Sequence, residues 1–376
     1  MYWDRNGIVS SNIFNRGPPH ALEPITHFLT GACLGRAGFN RKTALATVTM
    51  TLAAEAPDLD VLGQLRGPAF GFAHHRGFTH SFLGLFLICG VVLAVVYGIW
   101  RLFGRPLRNP QLPPRWALLY CFAYIAGLSH ILLDYTNNYG VRPFWPFWEK
   151  WYSWDIVFIV EPVMWALLAL GLIVPRLFAL INEEIGARDK GPRGRWAALT
   201  ALAGVLVMYG VRDYEHRRAV AALSARTYSD TIPQRVSAYP TFVNPFRWYG
   251  VVETANFFAL APVDSLTPEV DPGGQMEIRY KPEETAQTEA AKRSYLGRAY
   301  LDWAAYPITE TETLDSGDSI VQFEDLRFWY SRYVVPRMRG GGKVLSVGVE
   351  LNRSLQVVAE IFGDRRVRIA TAATSR

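Results

Sequence analysis

The run FLGLFLICGVVLAVVYGIW, residues 82–100, contains no charged side chain and constrains the fold more than any other part of the sequence. A helix that crosses a bilayer needs roughly 20 mostly apolar residues, so this run predicts a transmembrane helix and a membrane protein. Other apolar stretches fit the same bundle. The predicted spans are Thr79–Phe103, Trp116–Leu133, Asp155–Ile181 and the shorter Trp196–Val211, and a short helical hairpin is predicted over Ile25–Gly35 and Thr43–Ala56.

The character of the chain changes near residue 215. From there on, strand-like runs such as KVLSVGVEL and LQVVAEIF are bounded by Pro, Gly and Asp, which is typical of a small antiparallel domain. The predicted fold is therefore an α-helical membrane bundle of about four transmembrane helices with the short hairpin, followed by a mainly β (α+β) extramembrane domain. The predicted divisions are an N-terminal segment over 1–24, the membrane domain over 25–215 and the extramembrane domain over 216–376.

Three turns between the predicted helices are rich in arginine and lysine, and they define an orientation. RAGFNRK, RLFGRPLRNPQLPPR and NEEIGARDKGPRGR would all be cytoplasmic by the positive-inside rule. We therefore expect a multi-pass protein of a bacterial inner membrane, with the opposite helix ends and the C-terminal domain on the non-cytoplasmic side. The net charge of +6 fits such loops, and no basic stretch with interleaved aromatics indicates a nucleic-acid partner.

Five short segments place side chains able to bind a metal on that non-cytoplasmic side. They are ITHF, APDLDVL, HHRGFTHS, SHILLDY and WDIVFIVEP, and they contribute His27, Asp58, Asp60, His74, His75, His80, His130, Asp134, Asp155 and Glu161.

The spacing of these residues favours a shared metal site. His130 and Asp134 are four apart, so on a helix they lie on one face. Carboxylates and imidazoles at a bilayer are costly unless something compensates them, and a divalent ion compensates several at once. Mixed imidazole and carboxylate ligands suit zinc, manganese or iron better than calcium. The three cysteines lie singly in apolar stretches and indicate neither disulfides nor ligands.

PDLD, HRGFTHS and SHILLDYTNNYGVRPFWPF together resemble the inner-membrane metal-dependent hydrolases of the YdjM type, over about Thr26 to Pro162. NPFRWYGVVET is similar to a segment of longer members. The resemblance implies hydrolase activity, and it implies a particular set of metal ligands. These are His27, Asp58, Asp60, His75, His80, His130 and Asp134. His74 has no counterpart, and the family's Asp-Pro pair is Glu161-Pro162 here. A weaker resemblance links the motif order to zinc-dependent phospholipase C and P1-type nucleases.

Seven ligands exceed the needs of one tetrahedral zinc, so two divalent ions, zinc or manganese, are predicted. The expected reaction is hydrolysis of a phosphoester in a membrane lipid or lipid-linked head group. Arg76 would clamp a phosphate, or pair with Asp58, Asp60 or lipid head groups. Asp155 would be a general base, a partner that orients a histidine or a helix cap. The carboxylate of Glu161 is the third catalytic candidate.

Two other classes of protein remain open. The metal could be purely structural, with the C-terminal β domain binding a protein partner of unknown identity. A transporter fits less well, because the ligands gather at one boundary and transporter sites lie near the midplane. The segment NNYGVRPFWPFWEKWYSWD, rich in Trp and Phe, would be an interfacial aromatic belt or a lip that binds lipid beside the site.

Overall fold

A computed structural model describes residues 23–103, 112–184, 194–329, 345–363 and 365–369. Nearly all of the predicted N-terminal segment lies outside these ranges. So do several cationic residues used for the orientation, namely Arg105, Arg108, Arg188, Lys190 and Arg193.

Seven α-helices form the described part of the N-terminal region, and three of them are long and apolar enough to cross a membrane. These three are α4, α5 and the Pro162–Ile181 part of α6. The predicted fourth span is not confirmed, because its apolar stretch occupies only the first half of α7. The helices are α1 Glu23–Arg36, α2 Ala46–Glu55, α3 Pro68–His74, α4 Phe82–Phe103, α5 Trp116–Thr136, α6 Pro162–Glu184 and α7 Arg195–Ser224.

Helices α1 and α2 form the predicted hairpin and pack closely. A Cβ on Gly31 would lie 2.8 Å from the Cβ of Ala54 and 2.8 Å from the Met50 carbonyl oxygen. The absence of a side chain at this position therefore lets the two backbones approach. This contact brings the end of α2, and the 3-10 segment Ala56–Arg66 that follows it, towards the start of α1.

The described ends of the cationic turns lie close together at one end of the helical region, as their sequence predicts. The Arg36 guanidinium donates to the Leu172 carbonyl at 3.2 Å, and Arg195 donates to the Ala37 carbonyl at 3.2 Å. The backbone N–H of Arg115 donates to the Thr43 hydroxyl at 2.7 Å, which joins the third turn to the other two. The candidate metal ligands lie at the opposite end.

The C-terminal region is rich in β-structure, as predicted, and its described residues form two antiparallel five-stranded sheets. In the first, the order is β1-β2-β3-β4 and β5 also pairs with β3; in the second, the order is β10-β9-β8-β7-β6. The strands are β1 Arg235–Pro240, β2 Arg247–Glu253, β3 Phe257–Asp264, β4 Glu269–Val270, β5 Glu277–Tyr280, β6 Pro307–Thr313, β7 Ser319–Asp325, β8 Val347–Leu351, β9 Val357–Phe362 and β10 Arg365–Arg368.

Helices cover both sheets. The last turns of α7, with Ala219 and Leu223, pack on the first sheet, so the predicted boundary between residues 215 and 216 lies inside a continuous helix. Helices α8 (Ala286–Arg293) and α9 (Tyr295–Trp303) pack on the second sheet. The same core includes Ala69 of α3 and Tyr139, so the C-terminal region is docked on the helical region.

Candidate metal centre

Two histidine nitrogens and two carboxylate oxygens converge between α5 and the segments that lead into α4. The Nε2 atoms of His80 and His130 are 3.0 Å apart. The Asp134 Oδ2 atom lies 3.2 Å from the first and 3.3 Å from the second. The Asp58 Oδ1 atom is 3.5 Å from each. We call His80, His130, Asp58 and Asp134 the central quartet.

These separations match the edges of a small coordination polyhedron. Zinc bonds to nitrogen and oxygen of about 2.0 to 2.1 Å in a tetrahedral site place neighbouring ligand atoms about 3.3 Å apart. The five distances above run from 3.0 to 3.5 Å. The Nε2 atoms of His80 and His130 and the Oδ2 of Asp134 therefore have the dimensions of one face of a site for a small divalent ion, and Asp58 Oδ1 lies at a similar distance from both histidines.

The ring orientation of His130 is fixed by the backbone. Its Nδ1 lies 2.6 Å from the Ala54 carbonyl oxygen, which can only accept, so Nδ1 carries the proton and a neutral ring has its lone pair on Nε2. The Nδ1 of His80 faces the Thr79 hydroxyl at 3.1 Å and the Asp60 carboxylate at 3.5 Å. With neutral rings that carry their protons on Nδ1, the two Nε2 lone pairs face one another, and a cation or a proton between them would relieve their repulsion.

The other predicted ligands surround the quartet. The His27 ring stacks on His130 with centroids 3.7 Å apart, and its Nε2 is 3.5 Å from Asp134 Oδ1. The His75 Nδ1 is 3.1 Å from Asp60 Oδ2. The structure thus brings all seven predicted ligands together. Two sets have ligand atoms that all lie within 4.8 Å of one another: His27, Asp58 and His130, and His80, His130 and Asp134.

The electrostatics of the cluster favour added positive charge. Burial alone would lower the pKa of His80, but Asp60, Asp134 and Asp58 around it raise that pKa to about 10. Three aspartates and one arginine, Arg76, give the cluster a charge of −2 when the histidines are neutral, as metal ligands must be. A divalent ion matches that charge. Among the described residues, the buried Oδ2 of Asp134 has no hydrogen-bond donor.

Arg76 has a partner that the sequence did not predict. Its buried guanidinium pairs with Asp134 Oδ1 at 2.9 Å. Its backbone N–H donates to Asp60, one of the predicted partners, at 2.7 Å. The residue has a φ of 50°, so the chain turns sharply between His75 and His80. Arg76 therefore orients one oxygen of Asp134 and leaves the other facing the histidines.

Asp155 and Glu161 do not join the cluster, which corrects their predicted grouping with it. Asp155 has a φ of 58° and its charged neighbours are Arg327 and Asp325 of the C-terminal region. Glu161 is buried and its Oε2 lies 2.5 Å from the Arg212 guanidinium on α7. Sequence motifs could not reveal these partners, which are remote along the chain.

His74 and Glu55 are two further ionisable residues that lie outside the quartet. His74, the histidine without a family counterpart, stacks on Phe70 and donates from Nδ1 to the Phe70 carbonyl, away from the quartet. Glu55, which our sequence reasoning missed, lies at the end of α2 beside the cluster. Burial, followed by the charge of Asp58, raises the pKa of Glu55 to about 7. Its position three residues before Asp58, at the end of an apolar helix, was the available signal.

The cluster opens on one side. The side chain of Asp58 is 22% exposed, whereas the other three members of the quartet are fully buried. Asp58 belongs to the 3-10 segment Ala56–Arg66, and that segment also exposes large apolar side chains. They are Leu59, Val61, Leu62 and Leu65.

Fold and site together define a membrane protein whose helical region carries a buried cluster of side chains able to bind a metal ion. A family model, described as YdjM inner membrane protein, matches residues 22–218. The chain belongs to this family, which confirms the resemblance seen in the sequence and extends it to the whole helical region.

One relative and one negative result accompany the family match. The chain is 30% identical over 130 residues to the "Uncharacterized protein YfhP" of Bacillus subtilis (strain 168). That match covers 32% of this chain and 36% of the relative, so about a third of the relative's length is spanned. No solved structure matches the chain.

Proposed function

We propose that this membrane protein is a metal-dependent hydrolase that cleaves a phosphoester in the head group of a lipid. The observation that carries the proposal is the central quartet. His80, His130 and Asp134 place three ligand atoms within 3.3 Å of one another, and Asp58 beside them is partly exposed to solvent. Catalytic metal sites differ from structural ones in keeping one position open to water or substrate.

His80, His130, Asp58 and Asp134 would hold the ion. A bound divalent ion supplies an acidified water and neutralises charge that develops on phosphoryl oxygens. Ala54 and Asp60 orient the two histidines, and Arg76 orients Asp134. Asp58, at the opening, is the ligand beside which substrate would enter. Glu55 stands next to Asp58 as a carboxyl group able to exchange a proton with solvent.

The charge of −2 favours one ion in the quartet, and the spacing suits zinc or manganese. The second ion expected from seven ligands would need His27 or the Asp60–His75 pair. His27 already stacks on His130, and Asp60 is bound to the Arg76 backbone. We therefore propose one tightly held ion, and a stoichiometry of two would assign the outer residues to a second site.

The surroundings of the opening support a lipid substrate. The apolar side chains of the Ala56–Arg66 segment are exposed beside Asp58, with Leu65 at 86%. Phe147 and Trp148 of the aromatic segment are also exposed. We propose that this end of the bundle lies at the non-cytoplasmic interface, because the cationic turns gather at the other end.

A purely structural metal is the second candidate. The burial of His80, His130 and Asp134 favours it, because closed sites with complete protein ligation hold elements together without chemistry. In that case the C-terminal region would bind a protein partner.

Metal content and hydrolysis distinguish the two candidates. We expect detergent-purified protein to contain about one zinc or manganese ion per chain by mass spectrometry. A variant that combines His80→Ala with Asp134→Asn should contain none. The loaded protein should hydrolyse phospholipid or polyprenyl phosphate in mixed micelles, and Leu65→Gln should slow this reaction but leave metal content unchanged. Metal without hydrolysis across that panel would establish the structural candidate, and a folded wild type without metal would refute both.

A further inference from the structure

The loop that follows α5 connects the metal cluster to the C-terminal region. We call Asn137–Val141 the NNYGV loop. Its Asn137 side-chain oxygen and its Gly140 carbonyl oxygen accept hydrogen bonds from Arg76, at 3.3 and 2.9 Å. Arg76 in turn contacts Asp134. The position of this loop therefore sets where the Arg76 guanidinium lies, and so which oxygen of Asp134 faces the histidines.

The C-terminal region holds the same loop from the other side. Arg327 donates to the Asn138 carbonyl at 3.0 Å, and the Trp303 indole donates to the Tyr139 carbonyl at 3.1 Å. Arg327 also donates to the Trp303 carbonyl at 2.9 Å and to Asp325 at 2.8 Å. The guanidinium is buried and bound on all three nitrogens, so it is a rigid anchor.

A stack of side chains runs parallel to these hydrogen bonds. The Arg76 guanidinium lies 4.7 Å from the Tyr139 ring centroid, and the Tyr139 and Trp303 centroids are 4.8 Å apart. The Arg327 guanidinium lies 4.7 Å from the Trp303 ring. The order of the stack is cation, ring, ring and cation. Because each cation is attracted to the face of the aromatic ring next to it, displacement of one end of the stack disturbs the other.

We propose that Arg327 and Trp303 are positioning residues for the metal centre, and that the C-terminal region clamps the NNYGV loop to keep Asp134 oriented as a ligand. This inference rests on the proposed metal centre. It gives a role to the part of the chain that lies beyond the matched residues 22–218. Residues that orient metal ligands through hydrogen bonds typically change metal affinity by 10 to 100-fold when mutated, and the clamp acts on Asp134 through two intermediates, the NNYGV loop and Arg76.

The test is a chelator-competition titration of Zn²⁺ and Mn²⁺ on full-length, metal-stripped protein in detergent. We expect Arg327→Met to raise the Kd about tenfold, the lower end of the range for orienting residues. Arg327→Lys should recover part of the affinity because it keeps one donor and the charge. Trp303→Phe removes the indole donor but keeps a ring, and should shift the Kd in the same direction.

Arg235→Met is the matched control. Arg235 also bonds a backbone carbonyl, that of Ala305, and stacks on Tyr306 in the C-terminal region. This variant should lower the melting temperature without changing the Kd. It therefore separates a general loss of stability from a specific loss of metal affinity. If Arg327→Met does not fold, Trp303→Phe decides the question.

The outcomes separate the two proposals. A wild type that binds metal, with unchanged Kd in the Arg327 and Trp303 variants, overturns the clamp alone. An equal Kd shift in Arg235→Met also overturns it. A wild type that binds no metal overturns the metal centre and the clamp together.

Discussion

Asp155 offers a quantitative test of where the structure places the predicted catalytic carboxylates. Burial raises the pKa of Asp155 from 3.8 to about 6, although Arg327 and a hydrogen bond from Ser153 act in the opposite direction. Its Oδ1 is buried without a hydrogen-bond donor among the described residues. Replacement by Asn keeps the size of the side chain and tolerates the φ of 58°.

The sign of the effect follows from the direction of the shift. A carboxyl group whose pKa rises on folding costs nothing below 3.8, where it is protonated in both states. The cost grows as the pH rises from 3.8 to about 6 and is complete above that. At 1.36 kcal/mol per pKa unit, the cost reaches about 3 kcal/mol, an upper value because the residue is only half-buried by surface area.

The quantity to measure is the free energy of unfolding of Asp155→Asn minus that of wild type. We expect this difference to be larger at pH 7.5 than at pH 4, by up to about 3 kcal/mol. Denaturant unfolding in detergent across this pH range measures it. Asp271→Asn, at the same φ of 58°, supplies the baseline for this exchange. Stability curves for Asp155→Asn and wild type that run parallel from pH 4 to 8 would refute the placement of Asp155 in a buried site.

Three other changes test contacts in the helical region. Arg212→Met should lower the free energy of unfolding by about 3 to 5 kcal/mol, because Glu161 is left as an unpaired buried carboxylate; adding Glu161→Gln should restore part of it in urea unfolding. Gly84→Ala would place a Cβ 1.7 Å from the Phe78 carbonyl oxygen, so we expect a loss of about 1 to 3 kcal/mol or more, seen as a lower melting temperature. His74→Ala should leave metal content unchanged by mass spectrometry, and a lost ion would place His74 in the site.

The sequence predicts the ends of the bundle better than the number of its spans. The grouping of arginine-rich turns at one end is what the positive-inside rule predicts from the sequence. The fourth span is not confirmed. Helix α7 continues past Arg212, which pairs with Glu161, and its final turns pack on the first sheet, a contact that no local pattern reveals.

The same contrast applies to the site. The candidate metal ligands are recognisable because they occur in short sequence motifs. His130 and Asp134 lie on one face of a helix, and Asp58 and Asp60 lie in one turn of the chain. Charged residues whose role is to pair are not recognisable in this way. Glu161 finds its partner 51 residues away, and Arg76 finds the NNYGV loop 61 to 64 residues away. Only tertiary structure decides which carboxylate faces a metal and which faces an arginine.

The position of the cluster argues that its charge is kept for binding. His130 lies six residues before the end of α5, which at 1.5 Å per residue is about 9 Å inside the helix. Three carboxylates packed around this histidine and His80 are costly, and Arg76 pairs with only one of them, Asp134. Asparagine at Asp58 or Asp134 would remove that cost and still accept hydrogen bonds. A bundle that needed only stability would gain from the exchange, whereas a bundle that must hold a divalent ion would lose its ligands, so the excess of carboxylates over Arg76 is itself an argument for a bound cation.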